Sequence, residues 1–263
     1  MRVAMQGYSL AVEDGGHGTP VLLLHGFPMS SAAFAPIRPI VEREARLITI
    51  DLRGFGASDA PPGPYDMSSL ADDVVRIADH FGLERFVLGG HSMGGYVAFR
   101  VAANHRHRLS GLVLIDTRAA GDTPEGAERR RAAIATIAGG GRDAFLGAFL
   151  PQLVAPATRG RQPELMDRLV AIAAGIPDHV LTGCLEGMAA RPDSRGLLAG
   201  LDLAALVVHG AEDAVMPLDE ARALALALPR GRFVEVPEAG HTPTLEQPQL
   251  VGEAIARFLA EQL

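Results

Sequence analysis

Six short apolar runs, at 21–24, 47–50, 86–88, 112–115, 206–208 and 233–236, each give way within two residues to Gly, Asp or Pro, and most are followed by residues with helical periodicity. Strands alternating with helices in this way build a parallel sheet covered on both faces. With 263 residues, 48% of them hydrophobic, the chain can bury the core that such a sheet needs. Ahead of these runs, 3–6 and 8–13, broken by Gly7, read as an edge hairpin. Between them, Leu70, Val74, Ile77, Ala78 and Phe81 recur at helical spacing, and Gly82 stands where that helix ends. The expected class is α/β, with a mostly parallel central sheet and helices on both faces.

The alternation breaks between 117 and 200, where helix-period pieces are separated by Gly139-Gly140-Gly141, Pro151, Pro156, Pro163 and Pro177. That is too long for a plain loop. The stretch reads as a helical lid inserted over the carboxyl ends of the strands, where open α/β sheets place their ligands. The expected organisation is a core of 1–116 and 201–263 with a lid of 117–200.

Directly after the run at 86–88 comes Gly89-Gly90-His91-Ser92-Met93-Gly94-Gly95, and the helix-like stretch 96–103 follows at once. A serine on so sharp a strand-to-helix turn projects above the sheet, with glycines leaving room for neighbouring backbone. The helix behind it aims unpaired N–H groups at any negative charge that develops there. Around this elbow the chain resembles the α/β-hydrolase superfamily, in particular its serine carboxylesterases with a helical lid. Four further segments carry the resemblance: Leu24-His25-Gly26-Phe27-Pro28, the run from Asp51 to Ser58, Gly210-Ala211-Glu212-Asp213 with Pro217, and Gly240-His241. Nucleophile, acid and histidine would follow in the order that this fold uses.

A serine hydroxyl needs a base to take its proton, and nine histidines compete for that role. His241 is preferred because a short turn after the run at 233–236 delivers it to the carboxyl edge of the sheet. His25 and His209 read as turn-holding residues at strand ends, and His91 is expected to point away from its neighbour Ser92. His105 and His107 form an isolated pair without a carboxylate partner, a weak metal site, so no metal is assigned. For the acid that orients the histidine, Asp213 is preferred over Glu212 beside it and over Asp116 at the end of the run at 112–115. The oxyanion donors are expected to be the backbone N–H groups of Met93 and Phe27, leaving both side chains free to line a pocket.

The resemblance implies hydrolysis of small to medium carboxylic esters through an acyl-enzyme, without a cofactor. Serine in place of aspartate at the elbow, and the lack of tryptophan, depart from the haloalkane dehalogenase pattern. The lid residues expected to touch substrate are Phe145, Phe149, Leu153 and Met188. Two alternatives stay open. One is a lactonase of the enol-lactonase type, with Arg118 or lid arginines receiving a substrate carboxylate; the other is a hydrolase-fold receptor with slow turnover. The formal net charge of −7 argues against a general affinity for nucleic acid or anionic membranes. Arg129-Arg130-Arg131, following Glu125 and Glu128, reads as a solvated helix face. The single cysteine, Cys184, excludes an intrachain disulfide and reads as a packing residue. With no apolar stretch long enough for a signal peptide or membrane span, the expected location is the cytoplasm.

Overall fold

The computed structural model describes residues 1–262. Eight strands form one sheet: β1 (Arg2–Ala4), β2 (Ser9–Gly15), β3 (Thr19–Leu24), β4 (Ala45–Ile50), β5 (Phe86–His91), β6 (Leu109–Ile115), β7 (Ala204–Gly210) and β8 (Arg230–Val236). Their order is β1-β2-β4-β3-β5-β6-β7-β8, and every pairing from β4 to β8 is parallel. Each of the six apolar runs lies within one of the parallel strands. The edge hairpin forms as expected, and its second strand joins the sheet antiparallel to β4, pairing Val12 with Ile50.

Period-2 alternation assigns the side chains to two cores. Leu22, Leu24, Phe86, Leu88, Leu112, Leu114, Ala205 and Val207 face one side, where α2 (Met67–His80), α3 (Met93–His105) and α10 (Leu218–Ala227) cover them. Val21, Leu23, Val87, Val113, Leu206 and Val208 face the other, against α1 (Arg38–Val41) and α12 (Pro248–Gln262). Phe34 and Phe258 are buried in that second layer, each worth roughly 1.5–3 kcal/mol by area removed from water. Asp66 caps α2 by accepting from the Ser68 and Ser69 N–H groups at 2.9 and 3.0 Å, so the helix begins one turn before its apolar stripe.

Between β6 and β7 the chain forms α4 (Pro124–Ala138), α5 (Arg142–Phe149), a 3-10 turn at Leu150–Leu153, α6 (Pro156–Arg161), α7 (Pro163–Ala174), α8 (Asp178–Ala189) and α9 (Arg195–Leu198). Their breaks fall at the Gly and Pro clusters seen in the sequence. Phe145 and Phe149 of α5 stack on each other and bring their rings to 6.4 and 6.1 Å from that of Phe27, at the carboxyl end of β3. In this way α5 lies over the carboxyl end of β3. Among the described residues no single helix is long and apolar enough to cross a membrane.

Candidate active site

Ser92 stands between β5 and α3 with φ of 51° and ψ of −112°, a conformation that costs a non-glycine residue about 1–3 kcal/mol. Hydrogen bonds to backbone and side chain hold it there: its N–H donates to the Ile115 carbonyl at 2.9 Å, and its own carbonyl accepts from the Thr117 hydroxyl, Oγ1, at 2.8 Å. The flanking glycines are required by contact. A Cβ on Gly90 would lie 2.3 Å from the Gly94 carbonyl carbon, and one on Gly94 would lie 2.4 Å from the Leu24 oxygen. The helix expected from 96 begins at Met93, immediately after the serine.

The turn after β8, with the one-turn helix α11 (Pro243–Glu246) behind it, carries His241; the turn after β7 carries Asp213. Ser92 Oγ and His241 Nε2 are 2.8 Å apart, and His241 Nδ1 is 2.7 Å from Asp213 Oδ2. Asp213 Oδ1 accepts from the Val215 and Met216 N–H groups at 2.7 and 3.0 Å. Burial alone would raise the Asp213 carboxyl, but His241 and these donors hold it down at about 2, so it is ionised at neutral pH. The three expected residues thus form one hydrogen-bonded chain, buried except for a face of Ser92. Of the rival acids, Glu212 is exposed and Asp116 lies fully buried behind Asp213.

The loop after β3 packs against the serine: a Cβ on Gly26 would lie 3.0 Å from Ser92 Cβ. Among the described residues neither the Phe27 nor the Met93 N–H has an acceptor, and Met93 is the first residue of α3, where helix N–H groups lack intrahelical partners. His25 fixes the loop, its Nδ1–H donating to the Gly26 carbonyl at 2.8 Å while Nε2 accepts from the Leu52 N–H at 3.1 Å.

A cavity of about 510 Å³ opens on Ser92 and His241. Phe27, Phe145, Phe149 and Met188 line it as expected, joined by Tyr96, Leu185, Val215 and Met216, which the sequence reading missed. Three expectations are corrected here. Leu153 is wholly buried outside this lining, because it sits in the 3-10 turn that packs on the histidine loop. The Met93 side chain is in the core, since in the first turn of α3 it leans back beneath the elbow. Arg129 and Arg130 line the cavity, Arg130 half-buried and Arg129 still largely exposed, while Arg131 is exposed and paired with Glu128. Arg130 is bound to Asp122 at 2.6 Å, and Asp122 also takes Arg191 at 2.6 Å and Arg118 at 3.3 Å. Burial would raise the Asp122 carboxyl, yet Arg130 and Arg191 hold it below the ordinary carboxylate range.

His91 departs from expectation in a different way. Its ring makes no hydrogen bond to Ser92; it lies 5.0 Å from the His241 ring, tilted by 49°, and donates from Nε2 to the His241 carbonyl at 2.6 Å. A second support was missed altogether. The buried Glu246 accepts from the Gly240 N–H at 2.8 Å through Oε1, which also lies 3.1 Å from Thr242 Oγ1, and from the Ala155 N–H at 2.9 Å through Oε2. The signal was its place five residues after His241, on the turn that follows the histidine.

Asp116, His209 and Asp213 bring one potential metal-ligating atom each within 4.8 Å of one another. Asp213 is already committed to His241, so a cation there would compete with the hydrogen bond that orients the histidine. His105 and His107 sit at the end of α3, their rings 6.4 Å apart, and Cys184 is buried in α8 with its thiol pushed up by burial.

A family model described as alpha/beta hydrolase fold matches residues 19–248. The chain is 32% identical to the pimeloyl-[acyl-carrier protein] methyl ester esterase of Chromobacterium violaceum, over 97% of this chain and 99% of that one. Among solved structures it is similar to a thermophilic esterase from Thermogutta terrifontis, solved with malate bound, at 40% identity and a TM-score of 0.94 over 99% and 98% of the two chains. It is also similar to the enol-lactonase from Burkholderia xenovorans LB400, at 26% identity and a TM-score of 0.91 over 99% and 100%.

Proposed function

We propose, given that this chain belongs to the alpha/beta hydrolase family, that it is a serine hydrolase acting on small to medium carboxylic esters through an acyl-enzyme. The observation that carries this reading is the hydrogen-bonded chain from Asp213 through His241 to Ser92, opening onto a cavity. Ser92 Oγ attacks the ester carbonyl as His241 Nε2 takes its proton, and Asp213 stabilises the imidazolium. The Phe27 and Met93 N–H groups receive the oxyanion. His241 then returns the proton to the leaving alcohol, and water repeats the sequence to free the acid. In this reading 117–200 acts as a lid over a core of 1–116 and 201–263, and Phe145, Phe149 and Met188 hold the acyl or alcohol group.

The test is turnover. Purified protein given short-chain aryl and alkyl esters should release many equivalents of alcohol per chain, and a phosphonate should label Ser92. Ser92→Ala should abolish both while leaving the melting temperature near that of the wild type, and Asp213→Asn should lower kcat by roughly 10⁴. Release of about one equivalent from a labelled protein, across esters and lactones alike, favours a slow-turnover receptor instead. Near wild-type hydrolysis by Ser92→Ala refutes the reading outright.

One observation favours a narrower substrate class, an ester or enol-lactone bearing a second carboxylate. Arg118, Arg129, Arg130 and Asp122 line the cavity; Asp122 binds Arg118, Arg130 and Arg191, and Arg118 also reaches Glu220. Arg118 is taken up by both of those acids, whereas Arg129 makes no ion pair among the described residues. Of the candidates left open by the sequence, Arg118 and the lid arginines, Arg129 is therefore the better recipient. Monoesters of dicarboxylic acids should be cleaved with higher kcat/KM than neutral esters of equal length. Arg129→Gln should remove about tenfold of that advantage, ~1.4 kcal/mol, and leave neutral esters unchanged. Equal losses on both substrate types would reject it.

A further inference from the structure

Behind the chain of Ser92, His241 and Asp213 lies a second carboxyl group that the reaction does not use. Asp116 follows β6 with φ of 43°, and its side chain has no exposure. One oxygen, Oδ1, accepts from the Gly210 N–H at 2.9 Å and lies 3.4 Å from His209 Nδ1. The other, Oδ2, is buried without a hydrogen-bond partner, and an oxygen of Asp116, a nitrogen of His209 and an oxygen of Asp213 all fall within 4.8 Å of one another.

Proton bookkeeping decides what this cluster holds. His209 Nε2 donates to the Met216 carbonyl at 3.1 Å, which leaves Nδ1 a bare lone pair turned toward Asp116. Asp213 must be ionised to accept from His241, Val215 and Met216. An ionised Asp116 would then set two carboxylates and a bare imidazole nitrogen together, fully buried, with Glu246 adding further negative charge from the histidine turn. Two like charges so close do not both ionise in a dry site.

We propose that Asp116 is a neutral carboxylic acid that donates its proton in a hydrogen bond to Asp213, and so acts as a positioning residue for the carboxylate that orients His241. Burial first, and the Asp213 charge second, favour the protonated form of Asp116. Burial likewise keeps His209 neutral rather than letting it take that proton as an imidazolium. The strained backbone fits the same role. Asp and Asn tolerate positive φ better than other side-chain-bearing residues, and the bend turns the carboxyl group inward between β6 and β7.

The inference builds on the proposed role of Asp213, but its first test is independent of turnover. The wild-type protein at neutral pH should show the infrared carbonyl band of a buried protonated carboxylic acid, and Asp116→Asn should lack it. No band difference means that the proton sits elsewhere, on His209 or nowhere, and overturns the proposal. In the second test Asp116→Asn, whose amide can accept from Gly210 and donate to Asp213, should keep kcat within about threefold and leave the pH profile unchanged. Asp116→Ala, which cannot donate, should lose roughly tenfold in kcat at constant KM. A hundredfold loss in Asp116→Asn, or its failure to fold, shows that the site requires a charged carboxylate and also overturns the proposal. If no ester is turned over at all, the infrared result still stands or falls by itself.

Discussion

His91 holds the carbonyl of His241 with a ring that must stay neutral, and that makes it a liability in acid. Burial, with nearby His241 adding to it, lowers the His91 ring to about 3, below the ordinary histidine value of about 6.5. The unfolded chain therefore takes up this proton first. The stability due to the neutral ring is complete above about pH 6.5 and is lost as pH falls toward 3, at ~1.4 kcal/mol per unit. His25 and His209, buried with their pKa values also lowered, add to the same slope. His91→Gln keeps an N–H for the His241 carbonyl but does not titrate over this range. Urea titrations between about pH 6.5 and 4 should show a shallower loss of stability in the variant than in the wild type. Superimposable pH slopes would contradict this account of the ring. Sequence alone placed His91 next to Ser92 and expected its ring to point away from the serine. It could not show that the ring reaches His241, 150 residues later, because that contact exists only once β5 and the turn after β8 are brought together.

At the scale of elements, the site is assembled from the ends of neighbouring strands, and its precision depends on how those ends are tied. The elbow is held by backbone close-packing at Gly90 and Gly94; the histidine turn is held by Glu246. Glu246→Gln replaces one accepting oxygen by an NH₂ group facing N–H donors, leaving at least one buried donor unpaired at a cost of about 1–3 kcal/mol. For a chain of this size that should lower the melting temperature by several degrees. Because the lost bonds position His241, kcat should also fall, with KM little changed. A variant with reduced stability and undiminished kcat would show that Glu246 supports the fold alone.

At the scale of the molecule, the parallel sheet was legible because strands buried on both faces read as unbroken apolar runs. The elbow was legible because few structures need glycines so closely spaced about one serine. The stretch 117–200 was legible as a helical insertion and not as a surface. On α4 the Glu and Arg residues have no strong apolar stripe between them, and only Gly126 and Ile137 are buried there. Which arginines face the cavity is decided by packing against α5 and α8, which local sequence does not encode. The same holds for Leu153, apolar like its neighbours but turned toward the histidine loop instead of the substrate.

That turn has a consequence for recombination between relatives. Although 117–200 is one continuous stretch of chain, its residues 153–155 are bonded to the other part of the molecule: the Leu153 carbonyl accepts from Thr242 Oγ1 at 3.0 Å, and the Ala155 N–H donates to Glu246. Gly240 packs so tightly beneath them that a Cβ there would lie 2.6 Å from the Ala155 nitrogen. A chimera that took the whole stretch as a cassette from another chain would import a foreign partner for the histidine turn, and the damage would surface at His241 and not at the graft junctions. Crossovers that suit this protein fall on either side of 153–155, so that those three residues travel with Thr242 and Glu246.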